Sequence, residues 1–200
     1  MKKLFLVGAL ALFGAMNAQT SKGTWMVSGK TELGFNSTET KVEFQGANVV
    51  ESKTTSFTLN PAASYFVIDN LAIGLGLGFN SSKTGDDKSN TFSVMPQATY
   101  FFTVDGNIKP YVEAGVGYAV NNTTTAGTEV KFDGLTYGAG IGAAYFVNQA
   151  VAFNLGVNYL GTDLKNSDNS DIKIKTNGFG ASVGISVFLN GKTEKKNMNN

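Results

Sequence analysis

The chain has 200 residues, a formal net charge of +1, no cysteine and no histidine. This length suits one domain, and the near-neutral charge gives no electrostatic reason to bind nucleic acid. Without cysteine the chain has no disulfides or thiolate metal sites, and without histidine it lacks the usual base for a serine or cysteine nucleophile. We therefore predict a non-enzymatic protein with no catalytic residues, no cofactor and no metal site.

Residues 1–18 have the pattern of a secretory signal peptide. Two lysines precede an apolar run from Leu4 to Met16, small or polar residues follow, and cleavage is predicted after Ala18. The run is shorter than the roughly 20 residues that a membrane-spanning helix needs. The sequence is thus predicted to comprise a signal peptide at 1–18, a folded domain at 19–189 and a polar tail, "NGKTEKKNMNN", at 190–200.

Alternation of apolar with small or polar residues, the signal of a β-strand, recurs along the rest of the chain. It predicts eight strands, near 25–36, 55–67, 71–80, 91–102, 110–121, 134–147, 151–160 and 174–189. Short turns alternate with long connections, and strands joined by short turns must be antiparallel. The long connections are predicted as polar loops at 37–54, 81–90, 122–133 and 161–173.

The stretch "LAIGLGLGFN" at 71–80 shows how the two faces of these strands differ. Bulky apolar residues take one face, and mainly glycine takes the other, although glycine weakens a strand interior by roughly 0.5–1 kcal/mol relative to alanine. A face of glycines does not pack well in a soluble sandwich. It does fit the narrow lumen of an eight-stranded barrel whose apolar face contacts lipid.

Aromatic residues mark both ends of the apolar segment in the predicted strands. Eight residues at about 3.3 Å each, tilted by about 40°, rise roughly 20 Å, which is close to the apolar band of a transmembrane barrel. A soluble lipocalin-like barrel is the alternative, but it gives no reason for two aromatic belts or for alternating loop lengths. The predicted belt residues are Trp25, Phe35, Phe57, Tyr65, Phe79, Phe92, Tyr100, Tyr118, Tyr137, Tyr145, Tyr159 and Phe179.

Two sets of residues on the inward face are candidates for a site. The only ionisable residues between the belts are Lys30, Glu32 and Glu113, and buried charges are seldom tolerated unpaired. We predict that they form a polar network that fills the lumen, and a constricted ion path is the alternative. The predicted network comprises Lys30, Glu32, Asn60, Gln97, Glu113 and Asn154, and a predicted floor that closes the lower rim comprises Phe66, Phe101, Phe146 and Phe188.

The stretch "PYVEAGVGYAV" and the repeated strand ends "SYFV", "TYFF" and "AYFV" resemble a known family. They are similar to the small outer-membrane β-barrels of Gram-negative bacteria, of the OmpA-transmembrane-domain and OmpX type, and especially to porin-like barrels of Bacteroidetes. The resemblance implies an all-β, eight-stranded antiparallel transmembrane barrel with up-and-down meander topology. It also implies a monomer in the outer membrane with both termini in the periplasm.

The expected partners are outer-membrane lipid and a surface ligand or protein that contacts the loops 37–54, 81–90, 122–133 and 161–173. These loops are rich in Asn, Ser, Thr and paired opposite charges, and their acidic clusters lack the spacing of a calcium loop. Alternating apolar residues in "KVEFQGANVV" predict that the first loop extends its strands above the membrane. The expected role is structural or interactive and non-enzymatic, and a narrow porin-like channel for ions or small solutes is the alternative.

Overall fold

The computed structural model describes residues 19–32, 38–44, 47–168 and 171–190. The predicted signal peptide, and the predicted tail after residue 190, lie outside this part of the chain. Within the described residues no helix is long and apolar enough to cross a membrane. The strands are β1 (Thr24–Glu32), β2 (Thr38–Phe44), β3 (Ala47–Ile68), β4 (Leu71–Thr84), β5 (Asp87–Phe101), β6 (Ile108–Thr125), β7 (Thr128–Phe146), β8 (Val151–Asn166) and β9 (Lys173–Asn190).

These strands form a closed barrel with eight positions around its wall. β1 and β2 share one position, because β1 pairs with 60–65 of β3 while β2 pairs with 47–54 of the same strand. From β3 to β9 each strand lies antiparallel to the next, and β9 pairs with β1 to close the sheet. β1 therefore has a paired strand on each side. The predicted all-β, eight-stranded up-and-down meander is therefore confirmed.

The outer surface of the barrel wall is apolar. Leu75, Ile141 and Leu155 are 46%, 59% and 61% exposed, although each lies in the middle of a strand. A soluble fold would bury such residues, whereas a sheet that faces lipid exposes them. The inside-out arrangement predicted from "LAIGLGLGFN" is thus the one adopted, and the soluble lipocalin-like alternative is wrong.

The hairpins at the rim opposite the chain termini are longer than predicted. β4 and β5 remain paired to Thr84 and Asp87, and β6 and β7 remain paired to Thr125 and Thr128. The second of these hairpins turns through Ala126 and Gly127, whose φ angles of 49° and 79° are those of a two-residue hairpin turn. Most of the segments predicted as the loops 81–90 and 122–133 are therefore strand.

The other two predicted loops are also largely strand. β2 and β3 occupy most of 37–54, as the alternation in that segment indicates, and β8 and β9 occupy the two ends of 161–173. In 81–90, 122–133 and 161–173 the polar Ser, Thr and Asn residues hide the strand signal, because both faces of a hairpin that leaves the membrane contact water and the apolar alternation stops.

Candidate functional site

Four phenylalanine rings pack together in the lumen at the rim where β1 begins and β9 ends. Their side chains are nearly or fully buried, with Phe66 at 0% and Phe101 at 2% exposure. Phe188 lies among the other three, with ring centroids 6.2 Å from Phe66, 6.0 Å from Phe101 and 5.0 Å from Phe146. Such distances are typical of tilted aromatic pairs. Each pair stabilises the folded protein by about 0.5–1.5 kcal/mol in addition to the contribution of its buried area. The structure thus brings together all four residues of the predicted floor.

The strand register explains why these rings meet. Phe66, Phe101 and Phe146 each follow an outward tyrosine by one residue, so each points into the lumen near the end of its strand. Small residues face two of them across the ladder, since Phe66 pairs with Ala72 and Phe146 with Ala152. An alanine beside each of these phenylalanines leaves room for its ring in a barrel of only eight strands.

The segment before β1 lies beneath this floor, and Thr20 in it forms hydrogen bonds with Asn70 and Lys109. The hydroxyl of Thr20, which is 5% exposed, donates to Oδ1 of Asn70 at 2.7 Å, and the Asn70 amide donates to the Thr20 carbonyl at 2.7 Å. Lys109 Nζ donates to the same hydroxyl at 3.3 Å and lies 5.7 Å from the Phe146 ring centroid. Sequence reasoning missed this layer, since its contacts join residues that are 50 and 89 positions apart.

An ion pair lies directly above the floor. Lys30 on β1 and Glu113 on β6 form a salt bridge across the lumen, and their side chains are only 18% and 22% exposed. Lys30 Nζ also lies 5.1 Å from the ring centroid of Tyr111, which is 4% exposed. The pairing of the two predicted lumen charges is therefore present, and a cation–π contact accompanies it.

Tyr111 connects the ion pair to the floor, although sequence reasoning did not single it out. Its ring centroid lies 5.7 Å from that of Phe101. Glycines on β7 and β8 make room for it, since an added Cβ would lie 2.5 Å from the Tyr111 hydroxyl at Gly142 and 2.9 Å from it at Gly156. Inward glycines therefore provide space for the large side chains that fill this lumen.

The remaining residues of the predicted network divide into two groups. Asn60 and Gln97 line a cavity of about 120 Å³ together with Lys30 and Glu113. Asn158 lines it as well, and its buried Oδ1 has no hydrogen-bond partner in the described part of the protein. This cavity is large enough for a few water molecules, whose share of liquid volume is about 30 Å³ each.

Asn154 is not part of this cluster. It is 6% exposed and donates to the Ser186 hydroxyl at 2.7 Å, and it pairs with Ala144 near the floor. Glu32 ends β1, and its side chain lies outside the described residues. The structure thus brings four of the six predicted network residues together around one cavity.

The predicted belt residues lie on the outer wall, apart from Phe35, which is outside the described residues. Three cross-strand pairs stack, with ring centroids 5.2 Å apart for Trp25 and Tyr65, 5.1 Å for Phe79 and Phe92, and 5.1 Å for Tyr159 and Phe179. The remaining belt residues are at least 39% exposed: Phe57, Tyr100, Tyr118, Tyr137 and Tyr145.

A second polar cluster lies on the outer wall, where β6 to β9 extend beyond the belt. Asp133 accepts hydrogen bonds from the Ser167 hydroxyl at 2.6 Å and from the Tyr118 hydroxyl, and these bonds lower the pKa of the Asp133 carboxyl. Nearby, Lys175 pairs with Asp163 at 3.0 Å, and this partner raises the pKa of the lysine. No group of three or more His, Cys, Asp or Glu side chains in the described residues could hold a metal ion.

Comparison with solved structures supports the architecture. The barrel is similar to Neisserial surface protein A, with a TM-score of 0.54, 17% identity and coverage of 83% of this chain and 97% of that one. It is similar to the N-terminal β-barrel domain of Pseudomonas aeruginosa OprF, with a TM-score of 0.54, 12% identity and coverage of 84% and 98%. It is also similar to outer membrane protein OprG from the same species, with a TM-score of 0.53, 16% identity and coverage of 86% of this chain and 98% of that one.

At such identities these similarities show the fold alone. No curated protein sequence matches the chain. The sequence profile of the outer membrane protein beta-barrel domain, however, matches residues 5–186, which is most of the chain. The closed barrel, its apolar outer wall and this match together show that the chain belongs to the outer membrane protein β-barrel family.

Proposed function

We propose that this protein is a closed, monomeric outer-membrane barrel with a non-enzymatic structural or surface-interaction role, which its long hairpins perform. The observation that carries this proposal is the floor. Phe66, Phe101, Phe146 and Phe188 are at most 4% exposed and contact one another across the lumen. An ion that crosses such a layer passes among apolar rings, and burying an unpaired ion there is costly.

The length of the connections supports an orientation with both termini in the periplasm. At the rim where β1 begins, the connections after β3, β5 and β7 have two, six and four residues. At the opposite rim, paired strands continue well past the aromatic belt. Outer-membrane barrels have short periplasmic turns and longer extracellular segments, so the hairpins around 37–54, 81–90, 122–133 and 161–173 are proposed to be extracellular and to contact the surface ligand or protein.

The cavity above the floor favours a second candidate, a narrow channel for ions or small solutes. Lys30 and Glu113 lie in it at mid-lumen, with Asn60 and Gln97 on its walls. Charged side chains that line a pore contribute to ion selectivity in conducting channels. A channel would require the floor to open, whereas the structural role requires it to stay closed.

Ion conductance in planar bilayers separates the two candidates. The refolded mature protein is compared with Glu113→Gln, and folding of both is verified beforehand. We expect no conductance steps from either protein. Discrete conductance steps that change in size or ion selectivity with Glu113→Gln would overturn the structural proposal and make this carboxylate part of an ion path.

A further inference from the structure

Two lysines on the outer wall lie directly opposite each other on neighbouring strands. Lys165 on β8 and Lys173 on β9 are direct cross-strand partners, and both side chains are exposed. Like charges placed directly opposite each other destabilise an antiparallel pair. Neither lysine forms an ion pair with any carboxylate in the part of the chain that the structure describes.

The carboxylates nearest to this pair are already engaged. Asp133, the partner of Lys165 on β7, accepts hydrogen bonds from the hydroxyls of Ser167 and Tyr118. Asp163 is held by Lys175 at 3.0 Å. Hydroxyl donors do not neutralise a carboxylate, so Asp133 still offsets part of the lysine charge. Among the described residues of this patch, Lys165 and Lys173 are adjacent lysines that form no salt bridge.

The same lysines border a recess that continues onto the apolar wall. It is lined by three lysines, two aspartates and an apolar part, namely Lys165, Lys173, Lys175, Asp133, Asp163, Tyr118 and Leu135. Tyr118 and Leu135 are cross-strand partners, 54% and 48% exposed, and Tyr118 belongs to the aromatic belt. The recess therefore joins an apolar surface at the edge of the membrane to a charged surface on which the lysines outnumber the aspartates by one.

We propose that this recess binds the phosphate-bearing headgroup of an outer-membrane lipid. Lys165 and Lys173 would hold the phosphate between them, which removes their mutual repulsion, and the apolar part of the lipid would lie against Leu135 and Tyr118. Lysine binds phosphate as a point charge. An amphipathic lipid matches both the charged and the apolar part of the recess, whereas free phosphate matches only the charged part. This inference does not depend on whether the lumen conducts.

The hairpin of β4 and β5 provides a matched control. Lys83 and Lys88 are also direct cross-strand partners, both exposed, and they lie beyond the same aromatic belt. They do not line the recess. The variants Lys165→Gln/Lys173→Gln and Lys83→Gln/Lys88→Gln therefore remove equal charge from equivalent positions, and only the first pair removes it from the proposed site.

The test measures lipid binding to the refolded mature protein in neutral detergent, by native mass spectrometry. The probes are a glycolipid with two headgroup phosphates, the same lipid after dephosphorylation, and inorganic phosphate. We expect the phosphorylated lipid to bind most tightly. The Lys165→Gln/Lys173→Gln variant should bind it about thirtyfold more weakly, because each basic side chain beside anionic lipid contributes roughly fivefold, while the Lys83→Gln/Lys88→Gln variant should change affinity by less than about twofold.

Three results would overturn the proposal. Equal affinity for the dephosphorylated lipid would show that phosphate is not recognised. Equal affinity for inorganic phosphate would identify a free-anion site, without a role for the apolar half of the recess. Equal losses in the two double variants would show diffuse attraction between a basic surface and an anionic lipid.

Discussion

Replacing Glu113 by glutamine should destabilise the barrel more than replacing any carboxylate of the outer hairpins. The change leaves Lys30 charged and unpaired in a lumen where the side chains of the pair are 18% and 22% exposed. Removing one partner of a buried pair costs 3–5 kcal/mol in general. Because the adjoining cavity of about 120 Å³ can admit water, we expect the low end of that range, about 3 kcal/mol.

The control is Asp163→Asn, which breaks the outer ion pair with Lys175. The side chains of that pair are 71% and 36% exposed, and exposed pairs contribute about 0.2–1 kcal/mol. The assay is urea-induced unfolding of each refolded variant in lipid vesicles, with the free energy extrapolated to zero urea. The double variant Lys30→Met/Glu113→Leu should recover most of the loss, since replacing both charges by apolar groups of similar volume is often neutral or stabilising.

Two results would refute this reasoning. If Glu113→Gln costs no more than Asp163→Asn, the lumen pair is solvated like a surface pair. If the double variant loses as much as the sum of Lys30→Met alone and Glu113→Leu alone, the destabilisation comes from lost packing and not from an unpaired charge.

Leu75→Arg places a charge on the outward face and should destabilise by about 2–4 kcal/mol near the midplane; equal stability in urea titrations would contradict lipid contact at this position. Gly142→Ala should impair refolding, because the new Cβ would lie 2.5 Å from a backbone carbonyl oxygen and an inward tyrosine ring. Gly178→Ala should refold normally, since nothing lies within 4 Å of its Cβ. The refolding yield of each variant, measured by electrophoretic mobility shift, checks this difference. The lowered pKa of Asp133 means that its contribution to stability is present above its unfolded value near 3.9 and is lost as the pH falls through the lower folded value. Urea midpoints from pH 6 to pH 2 should therefore fall less for Asp133→Asn than for the wild type, and parallel curves would contradict this assignment.

The sequence predicts the faces of this barrel well because side chains alternate strictly along a strand. That rule alone places Phe66, Phe101, Phe146 and Phe188 inward and puts them near one rim. The same rule puts Lys30 and Glu113 in the lumen. It cannot show that these two residues meet, because they are 83 positions apart and their contact depends on how strands that are not neighbours face each other across the barrel.

The parts that the sequence did not predict have physical reasons. Tyr111 has the inward parity, but its position between the floor and Lys30 depends on the space left by Gly142 and Gly156, which lie on other strands. The hairpins beyond the membrane were expected to be loops, since apolar alternation ends where both faces contact water. Asn154 was expected in the polar network, but its strand register places it beside Ser186 near the floor.

Phe188→Ala tests most directly whether the phenylalanine floor keeps the lumen closed. This ring contacts the other three. Its removal should leave a gap in the floor, which lies above the segment before β1. Planar-bilayer recordings of the folded variant and the wild type, side by side, should show discrete conductance steps for the variant and none for the wild type. Steps of equal size from both proteins would contradict the claim, because the floor would then play no part in closing the barrel.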